Sequence, residues 1–206
     1  MYIPACFKNN DLNEVRDFLN KSSFGILVSQ QDSKFLATHI PLELDKDENG
    51  KDILVGHISK GNPQWKNFTN DSQILAIFSG AHSYISSSWY DHENVPTWNY
   101  IAVHIYGKIK IIEGEKLINA LKKLVDKYEA NSDKPVAVEK MSEKFISKEI
   151  KGIVGFEIEI NEIQSAYKLS QNRDARNHKN IISELDKKGD CNSRIIADEM
   201  KKHKKQ

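Results

Sequence analysis

The sequence predicts an antiparallel β-barrel with helices on its outside. Three observations carry this expectation: short apolar runs separated by hairpin signals, one long strand-like alternation from Ile101 to Ile111, and amphipathic stretches set apart from the strands. A doubly wound sheet would alternate strand and helix along its length, and this chain does not.

Taken in order, Met1 to Phe7 is a short extended lead. Asp11 to Glu14 carries capping-box chemistry, an acidic cap with a carboxylate three residues on. A helix follows, with Leu12, Val15, Phe18 and Leu19 on one face, and stops near Lys21. Phe24 to Ser29 is a short buried strand. From Phe35 to Leu44 the alternation puts Leu36, Thr38, Ile40, Leu42 and Leu44 on one face, as in a strand with one buried side. The charged run Asp45 to Lys51 ends in Asn-Gly, a turn signal, and Ile53 to Ile58 is the return strand. Asn62-Pro63 reads as a helix start, with about two turns to Thr69. Gln73 to Ser79 is a central strand. Ile101, Val103, Ile105, Ile109 and Ile111 then alternate with polar residues, with Gly107 as a bulge or bend. Glu115 to Tyr128 carries an apolar helical stripe, and Ser142 caps a short helix to Ile150. Ile153 to Ile160 is a strand, and Ala166 to Leu169 is read as one more. Past Asp174 the pattern is helical, broken near Gly189, and it finishes in a basic, frayed tail from Lys201 to Lys205.

With 206 residues the chain fits one domain, or one domain with an appendage. A net charge of +1 makes no global case for nucleic acid or an acidic surface as partner. Two cysteines, Cys6 and Cys191, stand far apart without CxxC spacing, as suits a reducing compartment. No secretory signal and no run of roughly 20 apolar residues is present, so a cytoplasmic protein without a membrane partner is expected.

Three stretches carry candidate chemistry. Gly80 to Gly107 holds two of the three tryptophans and four of the seven tyrosines, interleaved with small hydroxyl residues and an acidic loop. Flat rings beside short hydrogen-bonding groups suit a planar, polar-rimmed ligand, and would equally plug one end of a barrel core. Gly56 to Pro63 offers an imidazole (His57), a hydroxyl (Ser59), an ammonium (Lys60), an amide (Asn62) and a helix N-terminus. These groups suit an anionic phosphate, against the plainer reading of a polar turn. Tyr167 to Arg173 places polar donors directly after a strand. The histidines show no HxH or HxxxH spacing and lie far from both cysteines, so no metal site is expected. There is no GxSxG elbow, no GxGxxG and no phosphate-binding P-loop.

Six segments in order are IPACF (3–7), LVGHISKGNPQW (54–65), IFSGAHSYISSSWY (77–90), VPTWNYIAVHIYG (95–107), IVGFEIEI (153–160) and YKLSQNR (167–173). Together they resemble the FMN-binding negative transcriptional regulators of the PaiB type, over nearly the whole chain. The family pattern usually has a proline where Ser87 stands. The resemblance implies an FMN-binding split β-barrel of the pyridoxamine-phosphate-oxidase kind, mainly β with flanking helices, that forms a homodimer. It implies a barrel domain over residues 1–173 and a helical appendage with a basic tail over 174–206. By the same resemblance, His57, Ser59, Lys60 and Asn62 hold the FMN phosphate. Ser83, Tyr84, Ser86, Trp89, Thr97, Trp98 and Asn99 line the ring and ribityl region. Lys168, Ser170, Gln171 and Asn172 reach the flavin from the same or the partner subunit.

The implied function is regulation through a flavin- or metabolite-linked mechanism. The alternative is a flavin-dependent oxidoreductase of unknown small-molecule substrate, with His39, His82, His104 or Tyr84 moving protons. Direct reading of DNA is weakly supported, because residues 174–205 are mixed in charge and show no helix-turn-helix pattern.

Overall fold

A strand read from the sequence as continuous, Phe35 to Leu44, turns out to be the seam on which the sheet closes. In the computed structural model, which describes residues 1–69 and 72–203, this segment divides at Leu42 into β2 (Lys34–Pro41) and β3 (Glu43–Lys46). With β1 (Phe24–Gln31), β4 (Asp52–Ser59), β5 (Gln73–Ile85), β6 (Thr97–Ile112) and β7 (Ile153–Lys168), the sheet order is β2-β1-β5-β6-β7-β4-β3. The two outermost strands are therefore successive pieces of one segment. β2 pairs antiparallel with β1 (Ile26 opposite His39), while β3 pairs antiparallel with β4 (Leu44 opposite Leu54). Leu42 is fully buried at the corner, and its backbone N–H donates to the Ser23 carbonyl at 2.8 Å.

The helices are α1 (Leu12–Lys21), α2 (Gly114–Glu129), α3 (Glu143–Glu149), α4 (Ala175–Lys188) and α5 (Cys191–Lys202). Asp11 caps α1 by accepting from the Asn13 and Glu14 backbone N–H groups, but the return arm of the expected capping box is not made. The Glu14 carboxylate bonds Asn9 and His203 instead, and Asn9 caps the Asp11 N–H. Ser142 caps α3 as expected, and Asp174 caps α4, which ends at Gly189 with φ 69°. Lys204 and Lys205 of the expected frayed tail lie outside the described residues, whereas Lys201 and Lys202 belong to α5. Among the described residues no helix is long and apolar enough to cross a membrane.

The chain forms two compact units. One comprises residues 19–77 and 105–163. Its inward positions, among them Leu27, Leu54, Ile58, Ile105, Ile109, Phe156 and Ile158, are buried, as the alternation requires. β6 continues through Gly107, where the alternation of buried and half-buried residues is kept. A Cβ there would lie 2.8 Å from Ile158 and closer still to the Glu159 carbonyl, so the glycine admits the close approach of β7. α2 lays Leu117 and Leu121 on Ile53, Val55 and Ile112.

The other unit comprises residues 1–18, 78–104 and 164 onward. Its core joins Ile85, Ile101, Tyr167 and Leu169 to Ile181 and Leu185 of α4 and Ile196, Ala197 and Met200 of α5. Two strands run further than the sequence indicates. β5 continues to Ile85, so Gly80 to Ile85 is strand rather than loop, and β7 is unbroken from Ile153 to Lys168. The inward residues that hide this are serines. Ser83 and Ser165 are each 2% exposed, and the Ser83 hydroxyl meets Ser193 of α5 at 3.0 Å.

After β4 the chain makes a five-residue 3-10 segment, Pro63–Asn67, which stops two residues short of the expected Thr69. It carries Gln64 into the interior of its unit, where it is 1% exposed. The Gln64 amide nitrogen donates to the Leu27 carbonyl at 3.1 Å and the Ser29 hydroxyl at 3.0 Å, and its oxygen accepts from Thr38 at 2.5 Å. Gln64→Leu is expected to cost roughly 2–4 kcal/mol in urea unfolding, because buried acceptors lose their donor. Gln64→Glu is expected to cost more at neutral pH and to recover as pH falls. Burial raises the folded-state pKa of the new carboxyl, so the folded form takes up its proton first.

Candidate functional site

The residues expected to bind a ligand fall into two groups, one in each unit. In the unit of residues 19–77 and 105–163 they follow β4. The expected helix N-terminus is closed here: Asn62 accepts from the Gln64 backbone N–H at 3.0 Å and donates to the Thr38 hydroxyl at 2.9 Å. Asn62 therefore holds the turn. The Lys60 backbone N–H donates to the Gly152 carbonyl, and its carbonyl accepts from the Trp65 indole. Lys60 and Ser59 are both exposed, and the Ser59 hydroxyl accepts from the Gly61 N–H and keeps its own proton to donate. A cation and a short donor on successive exposed residues are groups that suit a phosphate. His57 alone of this group lines a cavity of about 240 Å³ between α2 and the β3–β4 pair. Burial lowers its pKa below the usual imidazole value, so it is neutral at pH 7.

In the other unit, Thr97, Lys168, Ser170 and Asn172 line a second pocket of about 240 Å³. Two residues outside the expected set, Phe7 and Arg173, complete its polar and aromatic walls. The Lys168 ammonium donates to the Thr97 hydroxyl at 2.5 Å and lies 5.9 Å from the Phe7 ring centroid. Its pKa is lowered, first by burial and then by the nearby Arg173 charge. The Arg173 guanidinium stacks 5.1 Å from the Tyr90 ring centroid. Ser170 has φ 60°, a conformation non-glycine residues rarely adopt. It is held there by its hydroxyl donating to Asn99 at 3.0 Å, while Asn99, fully buried, donates to the Met200 sulfur. Gln171 folds back on its own loop, accepting from the Leu169 N–H and donating to the Tyr167 carbonyl. Asn99 and Gln171 thus fix the shape of the loop, and Lys168, Asn172 and Arg173 present groups to the pocket. Arg173 was legible as the last residue of the YKLSQNR run.

On neighbouring strands β5 and β6, Tyr84 and Trp98 are 42% and 52% exposed, with ring centroids 5.8 Å apart, and His82 lies 6.0 Å from Trp98. These three rings are surface groups, whereas Tyr90 of the same stretch is buried in the core of its unit. Ser86 caps a 3-10 turn over Ser87–Trp89, and Trp89 packs against the helical core. A further cluster, Glu14, Glu199 and His203, brings three ligand-type atoms within 4.8 Å, which a search for paired histidines passes over. Its atoms are ion-paired within the protein: His203 to Glu14 at 2.6 Å and Glu199 to Lys202 at 2.5 Å.

In one unit the exposed Lys60 suits an anionic group, and in the other an exposed ring trio suits a planar one. Residues 1–162 match the family described as "Putative FMN-binding domain". The chain belongs to this family. Family members bind FMN as cofactor, and the fold class is the flavin-binding split barrel. The chain is 45% identical over 207 residues, all of each protein, to "Protease synthase and sporulation protein PAI 2" of Bacillus subtilis, so it is PaiB-like. It is 29% identical to an uncharacterized protein, YKL070W, of Saccharomyces cerevisiae, over 70% of this chain and all of that one. Among solved structures, the FAD and heme binding protein from Mycobacterium smegmatis aligns with TM-score 0.62 at 14% identity, covering 84% of this chain and 78% of that one. The flavocytochrome Anf3 from Azotobacter vinelandii aligns with TM-score 0.58 at 17% identity, covering 78% and 69%. The family match ends before Lys168, whereas the likeness to PAI 2 runs through it.

Replacing Ser170 separates strain from bonding. Both Ser170→Ala and Ser170→Gly lose the bond to Asn99, but glycine also loses the left-handed penalty. Ser170→Gly is expected to be about 1 kcal/mol more stable than Ser170→Ala in denaturant unfolding.

Proposed function

We propose that this protein is a cytoplasmic, homodimeric, FMN-binding regulator of the PaiB type, lowering transcription through a flavin- or metabolite-linked mechanism. The observation that carries the reading is full-length identity of 45% to PAI 2 together with the FMN-binding family match. The regulatory half rests on the family resemblance carried by the ordered motifs.

Ser59 and Lys60 take the FMN phosphate. Tyr84 and Trp98 offer faces to the ring system, and Lys168, Asn172 and Arg173 offer donors to its carbonyl edge, whichever protomer supplies each group. When bound, the flavin would supply hydride or single-electron transfer; these residues bind and orient it. The lowered pKa of Lys168 means that its charge, and any contact depending on that charge, is lost at lower pH than for a solvated lysine.

Two further observations support the rest. The outer face of β1, β2 and β5 is apolar: Phe24 is 66% and Phe35 71% exposed, beside half-buried Ile26, Val28 and Leu75. Such a face suits a second copy of the chain. α4 and α5 bury their apolar faces, and four of their lysines are ion-paired, Lys187, Lys188, Lys201 and Lys202. That leaves no continuous basic stripe for DNA on these helices, in keeping with action through a partner.

The purified protein is expected to retain an oxidised-flavin absorption spectrum after FMN addition and desalting. Lys60→Ala should weaken FMN binding about tenfold or more, the worth of a charged hydrogen bond, without lowering the melting temperature of the flavin-free protein. Unchanged affinity would remove Lys60 from the phosphate site. Phe35→Glu should convert the dimer to monomer in sedimentation velocity; an unaltered dimer would place the interface elsewhere.

A further inference from the structure

We propose that the cavity between α2 and the β3–β4 pair binds a small, neutral ring compound carrying one hydrogen-bonding group. The site is separate from the groups assigned to FMN, and it takes His57 as its own polar contact rather than as a phosphate ligand.

The argument starts from incomplete packing. Leu117, Leu121 and Leu124 form one stripe of α2, and Val55 faces them from β4. Leu117 reaches the sheet and is 4% exposed, but Leu121 and Leu124 stay only half buried around a space of about 240 Å³.

Polar struts hold the walls apart. Lys123 pairs with Asp45 at 2.6 Å and Lys127 with Glu43 at 2.5 Å. The Tyr128 hydroxyl bonds both Glu43, at 3.0 Å, and Ser23, at 2.6 Å. These contacts tie the C-terminal half of α2 to β3 and to Ser23, just before β1, through polar side chains. They also neutralise the mouth: each lysine there has its own carboxylate, so none is left to attract an anion. A phosphate or carboxylate would displace an existing ion pair to enter.

Inside, the polar side chains are His57 and Asn20. Among the described residues nothing is hydrogen-bonded to the His57 ring, and burial keeps it neutral. A neutral imidazole offers one donor and one acceptor, which suits a single N–H, O–H or carbonyl on an otherwise apolar ligand. The volume lies below the roughly 300–1,000 Å³ typical of drug-sized ligands, so it admits one or two fused rings and not a nucleotide. The leucine stripe of α2, a neutralised mouth, and a neutral imidazole with the Asn20 amide as the uncharged polar groups together select a neutral heteroaromatic or phenolic molecule.

Indole is the probe. Titrated calorimetrically into the full-length protein, it is expected to bind saturably at one site per chain, with and without saturating FMN. Indole-3-carboxylate should bind at least tenfold more weakly. Ala120→Phe, which projects a ring into the cavity from α2, should weaken indole at least tenfold while leaving FMN affinity unchanged; Leu124→Trp serves the same purpose if that variant does not fold. No saturable indole binding, equal binding of the carboxylate, full binding by a folded cavity-filled variant, or competition between indole and FMN would each overturn the proposal. A protein that binds indole but not FMN would keep this site and remove the flavin reading.

Discussion

The unit that carries Lys60 depends on one buried amide. Gln64 enters an otherwise apolar interior and meets acceptors on β1 and a donor on β2, at distances of 2.5–3.1 Å. An amide can donate two bonds and accept there without a charge, and in a low-dielectric interior each bond it makes is difficult to replace. Its position is set by the 3-10 turn, and the turn by Asn62, whose own amide bonds Gln64 and Thr38. The Lys60 loop therefore owes its shape to a polar network behind it. An exposed lysine can be positioned for an anion because the turn beneath it is anchored.

Much of the fold was legible because its signals are local. Caps at Asp11 and Ser142, the Asn-Gly turn before β4, and the alternation of β6 each depend on neighbouring residues. What was not legible shares one physical cause, the polar residue buried because it is bonded. Ser83 and Ser165 interrupt the hydrophobic pattern of β5 and β7, so both strands were read short. Gln64 reads as a polar turn residue and is almost fully buried. The division of the Phe35–Leu44 segment also escaped, since alternation continues through Leu42 and only pairing to two different strands reveals the corner.

The candidate site divides similarly. Lys168, Ser170 and Asn172 were marked by a dense polar run after a strand, and they do share a pocket. The different duties within that run were not readable. Gln171 faces its own backbone, Ser170 trades backbone strain for a bond to Asn99, and Arg173 leans on Tyr90. His57 was grouped with Ser59 and Lys60 by sequence proximity, yet its ring faces the α2 cavity, a relation set by residues about sixty positions away.

The partners of Gln64 also bear on when this architecture can appear during synthesis. Leu27, Ser29, Thr38 and Asn62 all precede it or adjoin it, and the β1–β2 and β3–β4 ladders join near neighbours. By contrast, β4 must wait for β7, where Ile53 meets Glu159. A nascent chain can thus complete its polar anchor from the first third of the message, before the strand that covers β4 has left the ribosome. Short loops close at little entropic cost, and the long closure then builds on a corner already formed.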